Sequence, residues 1–245
     1  MGSYKGKYIW IIGASSGIGL ALAVELAAQG ATLALSARSE DKLKALNEEL
    51  GGAHTVLPLD VVDEKAMAEA AKSLPRIDSA IFMAAIYNPA PLSQLDVKAA
   101  HQMVNINLNG AFNTVHAVLP ILKVQGHGQL ALCGSVAGYR GLPNGQPYSA
   151  TKAAVINLAE SLRAEERDLD IKVINPGFVR TPLTDKNNFK MPMIIEAEEA
   201  AKIIAKELQT KRFEIHFPKR FTFFVKLLAI LPSWLFFILI KKNSK

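Results

Sequence analysis

The sequence predicts an α/β protein: a doubly wound parallel sheet of about seven strands with helices on both faces, then an apolar, basic helical tail. Three observations predict it. Short β-branched runs alternate with amphipathic helical stretches six times. A glycine-rich turn follows the first run, and the last 28 residues differ in composition from everything before them. These features divide the 245 residues into one domain over 1–217 and a tail over 218–245.

In chain order, Tyr8–Gly13 reads as a strand, and Gly17–Gln29 has helical spacing with Gly30 as its stop. Ala31–Ala37 is the second strand, Glu40–Leu50 a charged helix, and Thr55–Leu59 a third strand ending at Asp60. Helix Glu64–Ser73 leads into strand Ile77–Ala84, two helices meet around Asn105–Gly110, and Gln129–Ser135 is the fifth strand. A long helix over Tyr148–Glu166, strand Lys172–Asn175 running into Pro176-Gly177, helix Glu196–Leu208 and strand Phe213–Phe217 complete the body. Strand-then-helix repeats of this kind predict right-handed crossovers that cover both sheet faces.

Composition narrows the function. The single cysteine, Cys133, forms no intramolecular disulfide, so a reducing, cytoplasmic setting is expected. The five histidines are scattered without metal-ligand spacing, and no metal is expected. Residues 1–217 hold 22 basic and 22 acidic side chains, so the net charge of +6 lies wholly in the last 28 residues. A neutral body argues against a nucleic-acid reader. The first residues have too short an apolar run for a secretory signal.

Gly13-Ala-Ser15-Ser16-Gly17-Ile18-Gly19 lies between the first strand and first helix, where a phosphate-binding loop belongs. Glycines permit backbone to approach a pyrophosphate, and the helix N-terminus offers unpaired N–H groups and partial positive charge. The end of the second strand reads Ser36-Ala37-Arg38-Ser39. Ala37 cannot accept from a ribose 2′-hydroxyl as an NAD-selective acid would, whereas Arg38 can clasp a 2′-phosphate. NADP(H) is therefore expected, with NAD(H) the alternative and a solvated capping arginine the plainer role.

Tyr148 and Lys152 stand one helical turn apart, so both side chains face the same way. A free phenol titrates near ~10, and a fixed positive charge nearby is expected to bring it toward the working range. Ser135 ends the fifth strand, where ligand sites form in such sheets, and can hydrogen-bond a substrate carbonyl or merely steady a turn.

At this point the chain resembles the short-chain dehydrogenase/reductase family, in its branch of about 250 residues. The resemblance covers roughly residues 5–217, and it rests on Gly13–Gly19, Asp60-Val61, Asn107-Leu-Asn-Gly110, Ser135 with Tyr148 and Lys152, and Pro176-Gly177-Phe-Val179-Arg-Thr181, in that order. It implies a Rossmann-like catalytic domain that binds NAD(P) and moves hydride between a carbonyl and a secondary alcohol. It also implies that Tyr148 is the general acid or base. Lys152 would tune that phenol and bind the nicotinamide ribose, while Ser135 orients the carbonyl. Asn107 would hold a kinked helix and a proton relay to Lys152, Asp60 would lie near the adenine, and Thr181 near the carboxamide. Dimers or tetramers are common in the family. Two departures stand out: Phe82-Met83-Ala84-Ala85 replaces the usual Asn-Asn-Ala-Gly, and Ile12 replaces the Thr that opens the glycine motif. The first leaves a second reading open, a catalytically weak nucleotide-binding membrane adaptor. An epimerase or dehydratase is disfavoured because no substrate domain follows residue 180. The substrate loop between Thr181 and Glu196 is short, about fourteen residues including Pro182, Asn187, Asn188 and Pro192.

From Phe221 to Ile240, sixteen of twenty residues are apolar, and Lys219, Arg220, Lys226, Lys241, Lys242 and Lys245 supply charge without one acid. At roughly 1.5–3 kcal/mol per large apolar side chain, such a surface needs a cover. The basic flanks, Trp234 and the Pro232-Ser233 break favour two short helices lying in a membrane interface. A single membrane span and an arm buried on the body or in a dimer are the alternatives. A membrane-apposed pocket makes a lipophilic substrate the expected one.

Overall fold

The apolar runs become seven strands: β1 (Tyr8–Ile12), β2 (Thr32–Ala37), β3 (Thr55–Pro58), β4 (Ser79–Phe82), β5 (Gln129–Cys133), β6 (Asp170–Pro176) and β7 (Glu214–Phe217). All pair in parallel in one sheet of order β3-β2-β1-β4-β5-β6-β7. The computed structural model describes residues 4–88, 90–187 and 189–242; Asn188 of the substrate loop and Lys245 of the tail lie outside the described residues.

The central strands are buried on both sides, which is why they read as unbroken apolar runs rather than alternating ones. Helices α1 (Gly17–Ala28), α2 (Glu40–Glu49) and α7 (Ala197–Leu208) cover one face, where Leu22, Leu26, Leu43 and Ile204 pack on Ile9, Leu33 and Ile81. On the other face, α3 (Glu64–Ser73), α5 (Gly110–Gln125) and α6 (Tyr148–Glu165) bury Met67, Val118, Leu122 and Val155 against Trp10, Phe82 and Leu132. The Trp10 indole N–H donates to Ser36 Oγ at 2.8 Å, so the largest core side chain leaves no polar atom unpaired.

Several element ends shift by one or two residues from the predicted spans, β5 among them, which ends at Cys133 and leaves Ser135 just beyond it; two shifts have a visible cause. β4 begins at Ser79 rather than Ile77, because the backbone N–H and C=O of Ile77 are both taken by the Gln125 side chain, at 3.1 and 2.9 Å. β6 starts at Asp170 rather than Lys172, and the fully buried Lys172 is satisfied by the carbonyls of Thr210 and Arg212 and by Asp170. The two helices expected to meet near Asn105 do so without a break. Helix α4 (Val97–Val104) runs through a π turn, Asn105–Asn109, into α5.

The tail folds as α8 (Lys219–Ile230) and α9 (Ser233–Lys242), parted at Leu231 and Pro232. Among the described residues no helix is long and apolar enough to cross a membrane. Thr222, Val225 and Phe236 are buried against the body, while Phe223, Phe224, Leu227, Ile230, Trp234, Phe237, Ile238 and Leu239 are exposed.

Candidate active site

Strand order reverses between β1 and β4, and a crevice opens at the carboxyl ends of the strands there. The cleft encloses about 420 Å³. Its floor is the glycine turn. Gly13 and Ala14 both donate their N–H to Ser36 O, at 2.7 and 3.0 Å, so the turn is pinned to β2. Gly13 has φ +102° and lies so close to β4 that a Cβ would sit 2.6 Å from Ala84 N; a Cβ on Gly19 would lie 2.1 Å from Gly13 O. Only glycine fits at either place. Ser16 precedes α1 without a side-chain cap, and Ser15, Ser16, Gly17 and Ile18 line the cleft, leaving the first-turn amides turned toward it.

One end of the cleft is edged by Arg38, Ser39 and Lys42 from the β2–α2 junction, opposite Asp60 and Val61 after β3. Arg38 and Lys42 are exposed cations. Lys42 was not singled out by the sequence reading; it stands in the first turn of α2, just after the Ser39 N-cap, and lines the same end of the cleft as Arg38. Asp60 caps its own turn, accepting from Val62 N at 3.2 Å, and Val61 wedges against Gly110 of α5.

The other end gathers Ser135 from the end of β5 with Tyr148 and Lys152 from the first turns of α6. Lys152 is 1% exposed and donates to the Cys133 carbonyl at 2.7 Å. Its ammonium lies 5.6 Å from the Tyr148 ring centre. In this arrangement the surroundings of Tyr148 act on it in opposite directions. Burial dominates and raises the phenol, with the Ser135 hydroxyl beside it pulling the other way. Burial also lowers the Lys152 amine from its ordinary value. Tyr87, unforeseen from the sequence, stacks edge-on against Tyr148 with ring centres 4.9 Å apart and donates to Asn187 Oδ1 at 3.0 Å. Nothing in the local sequence marks it, since it arrives from the loop after β4.

Asn107 stands behind this group rather than in the cleft wall. It sits in the π turn, accepts from Ile86 N at 2.8 Å, and donates to Ile86 O at 3.0 Å and Thr151 Oγ1 at 3.2 Å. The π turn joins α4 to α5 here, and Asn107 ties the β4 loop to the helix that carries Tyr148 and Lys152. Pro176, Gly177, Val179 and Thr181 line the remaining wall after β6. The Thr181 methyl lies 3.2 Å from where a Cβ on Gly17 would stand, so the glycine turn and the substrate loop touch across the cleft.

All the residues expected to hold a dinucleotide thus line one cleft. The glycine cradle, the uncapped helix start, two exposed cations at one end and a buried amine at the other fit a phosphorylated dinucleotide in chemistry and in order. Among the described residues no three His, Cys, Asp or Glu side chains gather as a metal site.

Comparison with known proteins agrees with this geometry. A family model described as short chain dehydrogenase matches residues 7–192. An uncharacterised oxidoreductase of Myxococcus xanthus is 33% identical over 235 residues, covering 92% of this chain and 93% of its own. A 2-dehydro-3-deoxy-L-rhamnonate dehydrogenase (NAD(+)) of a Sphingomonas species is 33% identical over 192 residues, covering 76% of this chain and 77% of its own. Among solved structures, an alcohol dehydrogenase from the archaeon Thermococcus sibiricus, complexed with 5-hydroxy-NADP, aligns with TM-score 0.79 and 29% identity over 86% of this chain and 95% of its own.

Proposed function

The chain belongs to the short-chain dehydrogenase family of oxidoreductases, and from that premise we propose that it interconverts a carbonyl and a secondary alcohol with NADP(H), on a lipophilic substrate. The observation that carries the reading is the convergence of Ser135, Tyr148 and Lys152 on the cleft that the glycine turn floors.

When bound, the dinucleotide supplies or accepts the hydride. Gly13, Ser15, Ser16, Gly17, Ile18 and Gly19 would hold its phosphates and Asp60 and Val61 its adenosine. Arg38, with Lys42, would hold a 2′-phosphate. Lys152, Pro176, Gly177, Val179 and Thr181 would hold the nicotinamide half. The protein's own part is proton transfer. The Ser135 hydroxyl orients the carbonyl, and Tyr148, protonated at neutral pH because burial raises it, donates to the carbonyl oxygen. The phenolate left behind would accept hydrogen bonds from the Ser135 hydroxyl and the nearby Lys152 Nζ, with no further proton moved. Asn107 keeps the helix start in place.

The test is NADPH oxidation driven by medium-chain and sterol-like ketones. Tyr148→Phe should lower kcat by about 10²–10⁴ with NADPH affinity unchanged. Reduction should hold through neutral pH and fall only above the free-phenol range near ~10. Tight NADPH binding with activity indifferent to Tyr148→Phe would instead favour a nucleotide-binding adaptor.

The lipophilic part of the reading is supported by the tail. Its exposed apolar residues form one face of α8 and α9, the flanking Lys219 and Arg220 are exposed, and no acidic residue follows residue 217. Such a face suits an anionic lipid surface. The full chain should sediment with phosphatidylserine-containing vesicles, and the triple change Trp234→Ser, Phe237→Ser, Ile238→Ser should release it. Sedimentation unchanged by that variant, or a concentration-dependent dimer covering the face, would remove the membrane from the reading.

A further inference from the structure

The segment between the two catalytic hydroxyls, residues 136–147, is anchored at both of its sides. On the inner side, Ser149 Oγ donates to Ala137 O at 2.6 Å, and Ala137 N donates to Ser135 Oγ at 3.1 Å. Gly138 lies directly on the backbone of α6: a Cβ there would stand 2.7 Å from the Lys152 carbonyl carbon and 2.8 Å from Ala153 N. The turn over Val136–Gly138 and the helix bearing Tyr148 and Lys152 therefore move as one packed unit.

On the outer side the same segment grips the tail. Arg140 Nη1 donates to the carbonyls of Ala229 and Leu231 at 2.8 and 2.6 Å and reaches that of Leu228 at 3.5 Å. Its Nη2 donates to Ser233 Oγ at 3.3 Å, and its guanidinium lies 4.1 Å above the buried Phe236 ring. One side chain thus closes the C-terminus of α8 and holds the start of α9. The last carbonyls of a helix have no internal partner and carry partial negative charge, and a planar cation with several donors satisfies them well. The neighbouring residue adds a second tether: the Tyr139 hydroxyl bonds Glu214 of β7, and Glu214 pairs with Lys226 of α8. The hairpin touches the opposite wall of the cleft as well, where Phe221 fills the space beside Gly177 and packs on Phe178 with ring centres 5.3 Å apart.

We infer that Arg140 is a positioning residue through which the seating of the α8–α9 hairpin sets the placement of Ser135 and Tyr148. This rests on the reading of those two hydroxyls as the proton-transfer pair. Arg140 touches neither the cleft nor the reacting groups; it acts through Gly138 and Ala137. The hairpin is then part of the catalytic body rather than an appendage, and whatever covers its apolar face has mechanical access to the active site.

The test uses the full chain with Arg140→Ala, with Lys226→Met as a variant of the second tether. Amide hydrogen exchange in 136–147 should rise together with that in 219–240. The kcat for carbonyl reduction should fall about tenfold, the size of a coupling carried by one packed contact, while the KM for NADPH stays at the wild-type value. A role confined to stability would move the melting temperature without splitting kcat from KM. Should Arg140→Ala fail to fold, Arg140→Lys, which keeps the charge but cannot fork across several carbonyls, is read in the same way. Exchange that rises in the hairpin alone, with 136–147 and kcat as in wild type, overturns the inference. If the wild-type chain reduces no carbonyl, the proposed function falls, and the exchange in 136–147 still decides whether Arg140 couples the two regions.

Discussion

The two ends of the cleft both present cations, yet they do so in opposite surroundings. At the β2–α2 end, Arg38 and Lys42 are exposed, and their charge acts through water. At the α6 end, Lys152 is 1% exposed, with the Cys133 carbonyl as its partner. Exposed cations attract an anion weakly and over some distance, and their effect is screened by salt. A buried amine feels every change of charge beside it strongly, because little water answers first. The first arrangement suits recognition of a charged group, and the second suits steadying a charge that appears only during reaction.

A second buried lysine makes the contrast sharper. Lys172 is 0% exposed in its side chain but has two carbonyls and Asp170 around it, and it lies outside the cleft. It is fully satisfied, whereas Lys152 has one carbonyl and a phenol nearby. Lys152→Met should lower kcat by about two orders of magnitude, within the range of a lost proton-transfer partner, and should leave the fold intact because a hydrophobic side chain suits that site. Lys172→Met should do the reverse, costing roughly 1–3 kcal/mol in urea unfolding through its orphaned carbonyls while kcat stays near wild type. Equal losses of kcat in the two variants would erase the distinction between a catalytic and a structural buried amine.

The same contrast explains what could be read in advance. The glycine turn, the Tyr148–Lys152 pair and Ser135 are set by sequence spacing and by the ends of strands, so alternating runs and a one-turn interval were enough to place them. The break at Pro232 was legible because proline cannot continue a helix. What escaped depends on the environment that the fold creates. The desolvation that raises the Tyr148 phenol and lowers the Lys152 amine is a tertiary property with no sequence signal. Tyr87 reaches Tyr148 from a loop, and Arg140 reaches α8 across 88 to 91 positions in the chain, so no local pattern marks either. Lys42 was missed for a plainer reason: on a charged helix it looks like any solvated lysine until the cleft is seen beside it.

That exposed end gives the smaller and more adjustable effects. Arg38→Ala should raise the KM for NADPH about tenfold, as expected for losing one charge-assisted contact of roughly 1.5 kcal/mol, and should leave the KM for NADH unchanged, because only the 2′-phosphate is addressed there. Lys42→Ala should show the same selectivity with a smaller factor, since an ammonium makes a single-point contact where a guanidinium makes two. The finest test uses salt alone. Between 0.01 and 0.15 M ionic strength the screening length shrinks from about 30 to about 8 Å. The wild-type KM for NADPH should therefore rise several-fold while the KM for the carbonyl stays flat. The Arg38→Ala, Lys42→Ala double variant should lose most of that salt dependence, because the buried amine at the other end is shielded by protein rather than by counterions. If salt instead acts on kcat, the charge that matters is the one beside Tyr148, and the division of labour between the two ends is wrong.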